Sequence, residues 1–185
     1  MQVEYDLELI AKWNRIDLLN EGMKNRRITE YKLDSMGRSI VHQCCLFGNV
    51  SMLEYLTTRW GDEILRRKDK YGVSTTHMAA RNGYLEILKF LEKKKCIESE
   101  KEERFLTSAL DLSIAMKHNE CFDFLVSRFP KEMLGWALSN ASAEGNVSIA
   151  KKLVSHGVDL EFKDEFGATP LDSIYLFFKI YFYKY

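Results

Sequence analysis

Residues Asp69–Leu91 read DKYGVSTTHMAARNGYLEILKFL, and this stretch decides the fold. Asp69-Lys-Tyr-Gly72 is an Asp-x-x-Gly turn. A short helical run follows, with Ser74 as a candidate N-cap and two small residues, Ala79 and Ala80. Gly83 marks a second turn. Ile87, Leu88 and Leu91 then recur at helical spacing, so a second helix carries an apolar face.

The same order returns on both sides. Upstream, Asp34-Ser-Met-Gly37 makes the turn, and Cys44 and Cys45 replace the two alanines. Gly48-Asn49 closes the first helix, and Met52, Leu53 and Leu56 give the second its face. Ser74 follows Ser39 by 35 residues (74 − 39 = 35), so the connection through Trp60-Gly61-Asp62-Glu63 is expected to hold a small insertion. Downstream, Ser108, Leu110 and Asp111 begin another unit, with Lys117 where the turn glycine stood. Trp136, Leu138, Ala141 and Gly145-Asn146 begin the next, and its second helix ends near Gly157. Asp164-Glu-Phe-Gly167 and Thr169-Pro-Leu-Asp172 open one more. Near the N-terminus, Asn14 takes the turn-glycine place between two apolar patches.

The recurring unit resembles the ankyrin repeat, whose pattern is D-x-x-G-x-T-P-L-H-x-A-A-x-x-G-H followed by an apolar helix. The resemblance implies an all-α solenoid of about five to six helix-turn-helix units joined by short β-turn or hairpin connections. Residues 1–174 form the expected array. Residues 1–33 are a degenerate N-terminal cap, and 34–68, 69–103, 104–135 and 136–163 are repeats. Residues 164–174 start an incomplete repeat. The connection at 98–104, Glu-Ser-Glu-Lys-Glu-Glu-Arg, lacks the Asp-x-x-Gly turn, so its hairpin is expected to be altered. Residues 175–185 are an aromatic tail. One expectation is that the chain is truncated there; the other is that the tail docks on the array or on a partner, or promotes association of an otherwise monomeric chain.

Composition fits an ordinary soluble domain. The 185 residues are 46% hydrophobic and 29% charged with zero formal net charge, which argues against a chain-wide footprint for nucleic acid. Only two prolines occur, as suits helices. No stretch reaches the roughly 20 apolar residues of a membrane span. The N-terminus shows no secretory leader, and the four cysteines form no C-x-x-C pair, so reduced thiols and a cytoplasmic, or nuclear, location are expected.

The resemblance implies a protein-binding scaffold or adaptor that takes its partner on the concave face of the array, without cofactor, metal or catalytic residues. The alternative is a regulatory or targeting fragment of a larger kinase, channel or ubiquitin ligase. Partners of this family meet the hairpin tips and the exposed side of the first helices. Position by position, that implies Met36, Arg38, Tyr71, Val73 and Phe166 at tips, and Leu46, Phe47, Arg81, Asn82 and Met116 on helices. The competing reading has them pack against one another or against the loops. His42 and His77 each follow a serine by three positions, a pair that the family uses to tie turn to helix. Cys44-Cys45 beside His42 could also suggest a metal or a nucleophile, but neighbouring helical residues point about 100° apart. No nucleotide-binding, zinc-protease or nucleophile-elbow motif is present.

Overall fold

The computed structural model describes residues 5–97, 108–129, 131, 134–164, 167–173 and 175. The chain divides into two compact units, Met1–Glu98 and Ser99–Tyr185. Among the described residues all regular elements are helical, and the only β-pairing is two isolated bridges, Leu33 with Ser39 and Lys68 with Ser74.

In the first unit, three helix pairs follow one another: α1 (Leu7–Lys12) with α2 (Ile16–Lys24), α3 (Ile40–Phe47) with α4 (Val50–Trp60), and α5 (Thr75–Asn82) with α6 (Leu85–Lys93). The first helices stack side by side, α1 on α3 and α3 on α5. This close approach needs small residues, and Ala11, Cys44, Cys45, Ala79 and Ala80 are wholly buried there. Larger side chains fill the layer behind: Leu19, Met52, Leu53, Leu56, Ile87, Leu88 and Leu91 have no exposure. Truncating one of these to Ala typically costs about 2–5 kcal/mol. Gly48 ends α3 at φ +77, and a Cβ there would sit 2.7 Å from the Tyr84 ring, so only glycine fits.

The lengthened connection after α4 carries a 3-10 helix, Asp62–Arg66, which buries Ile64 and Leu65. Thr75 Oγ1 donates to the Leu65 carbonyl at 2.8 Å and pins this helix to the start of α5.

The second unit contains α7 (Ala109–Ala115) with α8 (Asn119–Val126), and α9 (Leu134–Ala143) with α10 (Val147–Ser155); α7 also packs on α9. Ile114, Phe122, Leu125, Ala141, Ile149 and Leu153 form its core. Phe162 lies edge-on to Trp136 at 5.3 Å between ring centroids. Residues 170–173 add a further helical turn.

Asp6 is exposed and caps α1, with Oδ1 accepting from Glu8 N–H at 2.8 Å and Leu9 N–H at 3.3 Å. Leu9 is 52% exposed. The charged 98–104 connection and the tail beyond Tyr175 lie outside the described residues.

Candidate interaction surface

Two turns project from the first unit with one geometry. Asp34 Oδ1 accepts from Met36 N–H at 2.8 Å and Arg38 N–H at 2.9 Å. Asp69 Oδ1 accepts from Tyr71 N–H at 2.8 Å and Val73 N–H at 2.9 Å. The glycine amides close each turn onto the aspartate carbonyls, Gly37 to Asp34 and Gly72 to Asp69, both at 3.0 Å. The two fingers are joined: Lys70 N–H donates to the Met36 carbonyl at 3.2 Å, and Lys70 Nζ to the Ser35 carbonyl at 2.7 Å. Burial alone would raise the Asp34 carboxyl, but hydrogen bonds from Arg38 and Met36 outweigh it and hold the group below its ordinary value.

This scaffold presents Met36 and Tyr71 at its tips, 44% and 59% exposed, with Lys70 Nζ 5.0 Å from the Tyr71 ring. Arg38 is placed differently. Its Nε donates to Asp34 Oδ2 at 2.8 Å and its side chain is only 20% exposed, so its charge is spent inside the turn. Val73 is half-buried at the base of its finger.

On the first helices, Leu46 and Phe47 are half-buried at the end of α3, and Arg81 is exposed at the end of α5. Asn82 turns inward, and its Nδ2 donates to the Met78 carbonyl at 2.7 Å. The structure therefore brings Met36 and Tyr71 together on joined fingers, and places Leu46, Phe47 and Arg81 at helix ends of the same unit. Met116, 44% exposed, belongs to the second unit. Phe166 lies outside the described residues.

Sequence reasoning missed Trp13 and Lys70. Trp13, 67% exposed, precedes the turn residue Asn14 as Phe47 precedes Gly48, and Lys12 Nζ lies 5.7 Å from its ring and 5.9 Å from the Phe47 ring. Carrying the repeat register into the degenerate cap identifies it. A hollow of about 530 Å³ between α1 and the first finger was also not foreseen; Asp6, Glu8, Asp34 and Gln43 contribute to its wall.

The serine–histidine pairs do what the resemblance implied. The Ser39 hydroxyl lies 3.0 Å from His42 Nδ1, and the Ser74 hydroxyl 2.8 Å from His77 Nδ1. Aspartate takes over in later units, with Ser108 Oγ donating to Asp111 Oδ2 and Thr169 Oγ1 to Asp172 Oδ2, both at 2.8 Å. Burial pushes the His42 imidazole below its ordinary value, so it is neutral at pH 7. Burial likewise raises the Cys44 and Cys45 thiols, and pushes Cys121 up to about 11. These thiols are protonated at neutral pH and pack as small apolar groups. Among the described residues no cluster of His, Cys, Asp and Glu is arranged to hold a metal ion, and no helix is long and apolar enough to cross a membrane.

The family model "Ankyrin repeats (3 copies)" matches residues 7–102 and 41–134. No curated protein sequence matches the chain at significance. Among solved structures, the chain is similar to one in the complex of the predatory endopeptidase Bd0816 from Bdellovibrio bacteriovorus with immunity protein Bd3460. That likeness has a TM-score of 0.73 at 16% identity over 97% of this chain and 95% of that one. It is also similar to the human ASB11 ankyrin repeat domain, with a TM-score of 0.69 at 17% identity over 95% of this chain and 83% of that one. At such identities the likeness establishes the fold.

Proposed function

Because the chain belongs to the ankyrin-repeat family, whose fold is generally a protein-binding and typically non-catalytic scaffold, we propose that it is an adaptor. It captures a protein partner on the joined fingers and first-helix ends of its first unit, from the cytoplasm or nucleus, without catalysing a reaction. The observation that carries this reading is the pair Met36 and Tyr71. Both are large apolar side chains left exposed on turns whose backbone groups are hydrogen-bonded and tied finger to finger. Exposed anchors on a fixed backbone lose little entropy on binding, and aromatic anchors dominate interface energetics. The presence of a similar fold in a protein–protein complex supports it.

The test is affinity purification with mass spectrometry using the wild-type chain and the double variant Phe47→Ala/Tyr71→Ala. Specific partners of the wild type should be depleted about tenfold or more with the variant, as expected for loss of two aromatic anchors. Equal recovery by a variant whose circular dichroism remains helical would refute the reading. Fluorescent tagging of the full chain checks the location.

A further inference from the structure

The repeat that Thr169 opens leaves bare what the earlier repeats bury. Thr169 pairs with Asp172 as Ser39 pairs with His42, Ser74 with His77 and Ser108 with Asp111. Leu171 and Tyr175 follow Thr169 on the same helical face. Their places are held by Val41 and Cys45, Thr76 and Ala80, and Leu110 and Ile114 in earlier repeats, none more than 2% exposed. Leu171 is 71% exposed and Tyr175 68%. The second helix before them shows the same lack of cover. α10 and α4 both begin Asn-Val-Ser, and both bury the same two places, Met52 and Leu56 in α4, Ile149 and Leu153 in α10. Thr57 of α4 and Val126 of α8 are buried as well, yet Val154 stands in their place 46% exposed. A repeat cannot bury its apolar face alone, so an occupant for these three side chains is required.

The sequence holds a segment with the pattern of that occupant. In three repeats the second helix begins eleven residues after the first helix's N-cap (50 − 39 = 85 − 74 = 119 − 108 = 11). The same count from Thr169 reaches Ile180, and residues 180–185 read Ile-Tyr-Phe-Tyr-Lys-Tyr. Third and fourth places in the earlier second helices are the buried pairs Met52-Leu53, Ile87-Leu88 and Cys121-Phe122; here they are Phe182-Tyr183. The fifth place is charged and exposed at Glu54, Lys89 and Asp123; here it is Lys184. The sixth is aromatic at Tyr55, Phe90 and Phe124; here it is Tyr185. Phe178 departs from the pattern, falling where Gly48 and Gly83 turn with positive φ. Lys117 holds the same place in its own repeat at φ 60°, so a side chain is tolerated there.

We propose that residues 180–185, which lie outside the described residues, open a second helix for this repeat and cover Val154, Leu171 and Tyr175 with the rings of Phe182, Tyr183 and Tyr185. Aromatic rings bury the largest apolar area per residue, as so short a segment needs. Its tether gives it a high effective concentration at the face, which favours it over a second copy of the chain. This end of the array is then closed by its own chain and is no partner surface. The proposal concerns the second unit and stands or falls apart from the adaptor reading of the first.

The test is a 13C-edited NOE experiment on the full chain, repeated on an equal mixture of labelled and unlabelled chains. Val154 methyls should show NOEs to the rings of residues 182–185, and the isotope filter for contacts between chains should be empty. Val154→Ala gives a second reading by its sign. At a solvent-facing helical site this change leaves Tm unchanged or raises it, because Ala has the higher helix propensity. Under an aromatic cover it removes methyl contacts and should lower Tm by about 2–4 °C, as should Phe182→Ala. The double variant should lose less than the two losses added, since both remove one contact. Absent NOEs, NOEs only between chains, a Tm not lowered in either single variant, or fully additive losses would each overturn the proposal.

Discussion

Among the described residues, four that are not glycine hold a positive φ: Asn14 at 49°, Arg26 and Lys95 at 55°, and Lys117 at 60°. Each occupies a place that glycine fills elsewhere in the chain. Lys117 N–H reaches the Ile114 carbonyl at 3.0 Å and His118 N–H the Ser113 carbonyl at 2.8 Å. Gly145 and Asn146 make the same two bonds to Ser142 and Ala141. The left-handed conformation costs a residue with a Cβ about 1–2 kcal/mol, less for Asn with its short polar side chain. Glycine in turn loses about 0.4–1 kcal/mol more chain entropy on folding. Lys117→Gly is therefore expected to stabilise the protein by about 0.5–1 kcal/mol, and Asn14→Gly to change it by only a few tenths. Urea unfolding checks both, as a rise in midpoint at constant slope. Gly48→Ala should do the opposite by about 2 kcal/mol or more, since it adds a Cβ contact with Tyr84 to the backbone cost.

Within elements, the serine–histidine pairs at α3 and α5 and the Ser108–Asp111 pair at α7 mark where those helices begin, and His42 gives the fold a pH response. His42 is neutral and buried, and its proton affinity is lowered chiefly by desolvation. The unfolded chain takes up that proton near pH 6.5. Stability from His42 is thus present in full above about 6.5 and is lost as pH falls towards the lower folded value. Calorimetry should find a lower Tm at pH 5.5 than at pH 7.5. Asp34 and Asp172 do not confuse this window, because their hydrogen bonds move their titration further into acid. The helix pairs were legible in the sequence because a capping residue opens the first helix and an apolar period marks the second, as Ser74 opens α5 and Ile87, Leu88 and Leu91 recur along α6. The 3-10 helix was not, because Asp62–Arg66 is too short to show a period, and Ile64 and Leu65 are buried only by tertiary packing.

At the scale of the whole molecule, the repeat pattern supplied the fold, and each compact unit carries its own core. The small residues that allow first helices to stack include Cys44 and Cys45, which makes their thiols probes of folding. Both are fully buried and protonated at neutral pH. In the native chain they should react with a thiol reagent only as fast as the first unit opens, orders of magnitude slower than in urea. Fast labelling with circular dichroism unchanged would contradict the packing of α3 between α1 and α5. Exposed positions were less legible than buried ones, since a solvent-facing side chain is little constrained by the period. Arg38 shows this: its register marked a tip, yet its guanidinium serves Asp34. The bond from Lys70 N–H to the Met36 carbonyl carries one more consequence. It crosses from one repeat to the next, so the Lys70 amide cannot exchange its proton for deuterium unless the neighbouring finger lets go. That single amide is a built-in gauge of whether the two tips move as one body, and a partner gripping both would slow its exchange without touching it.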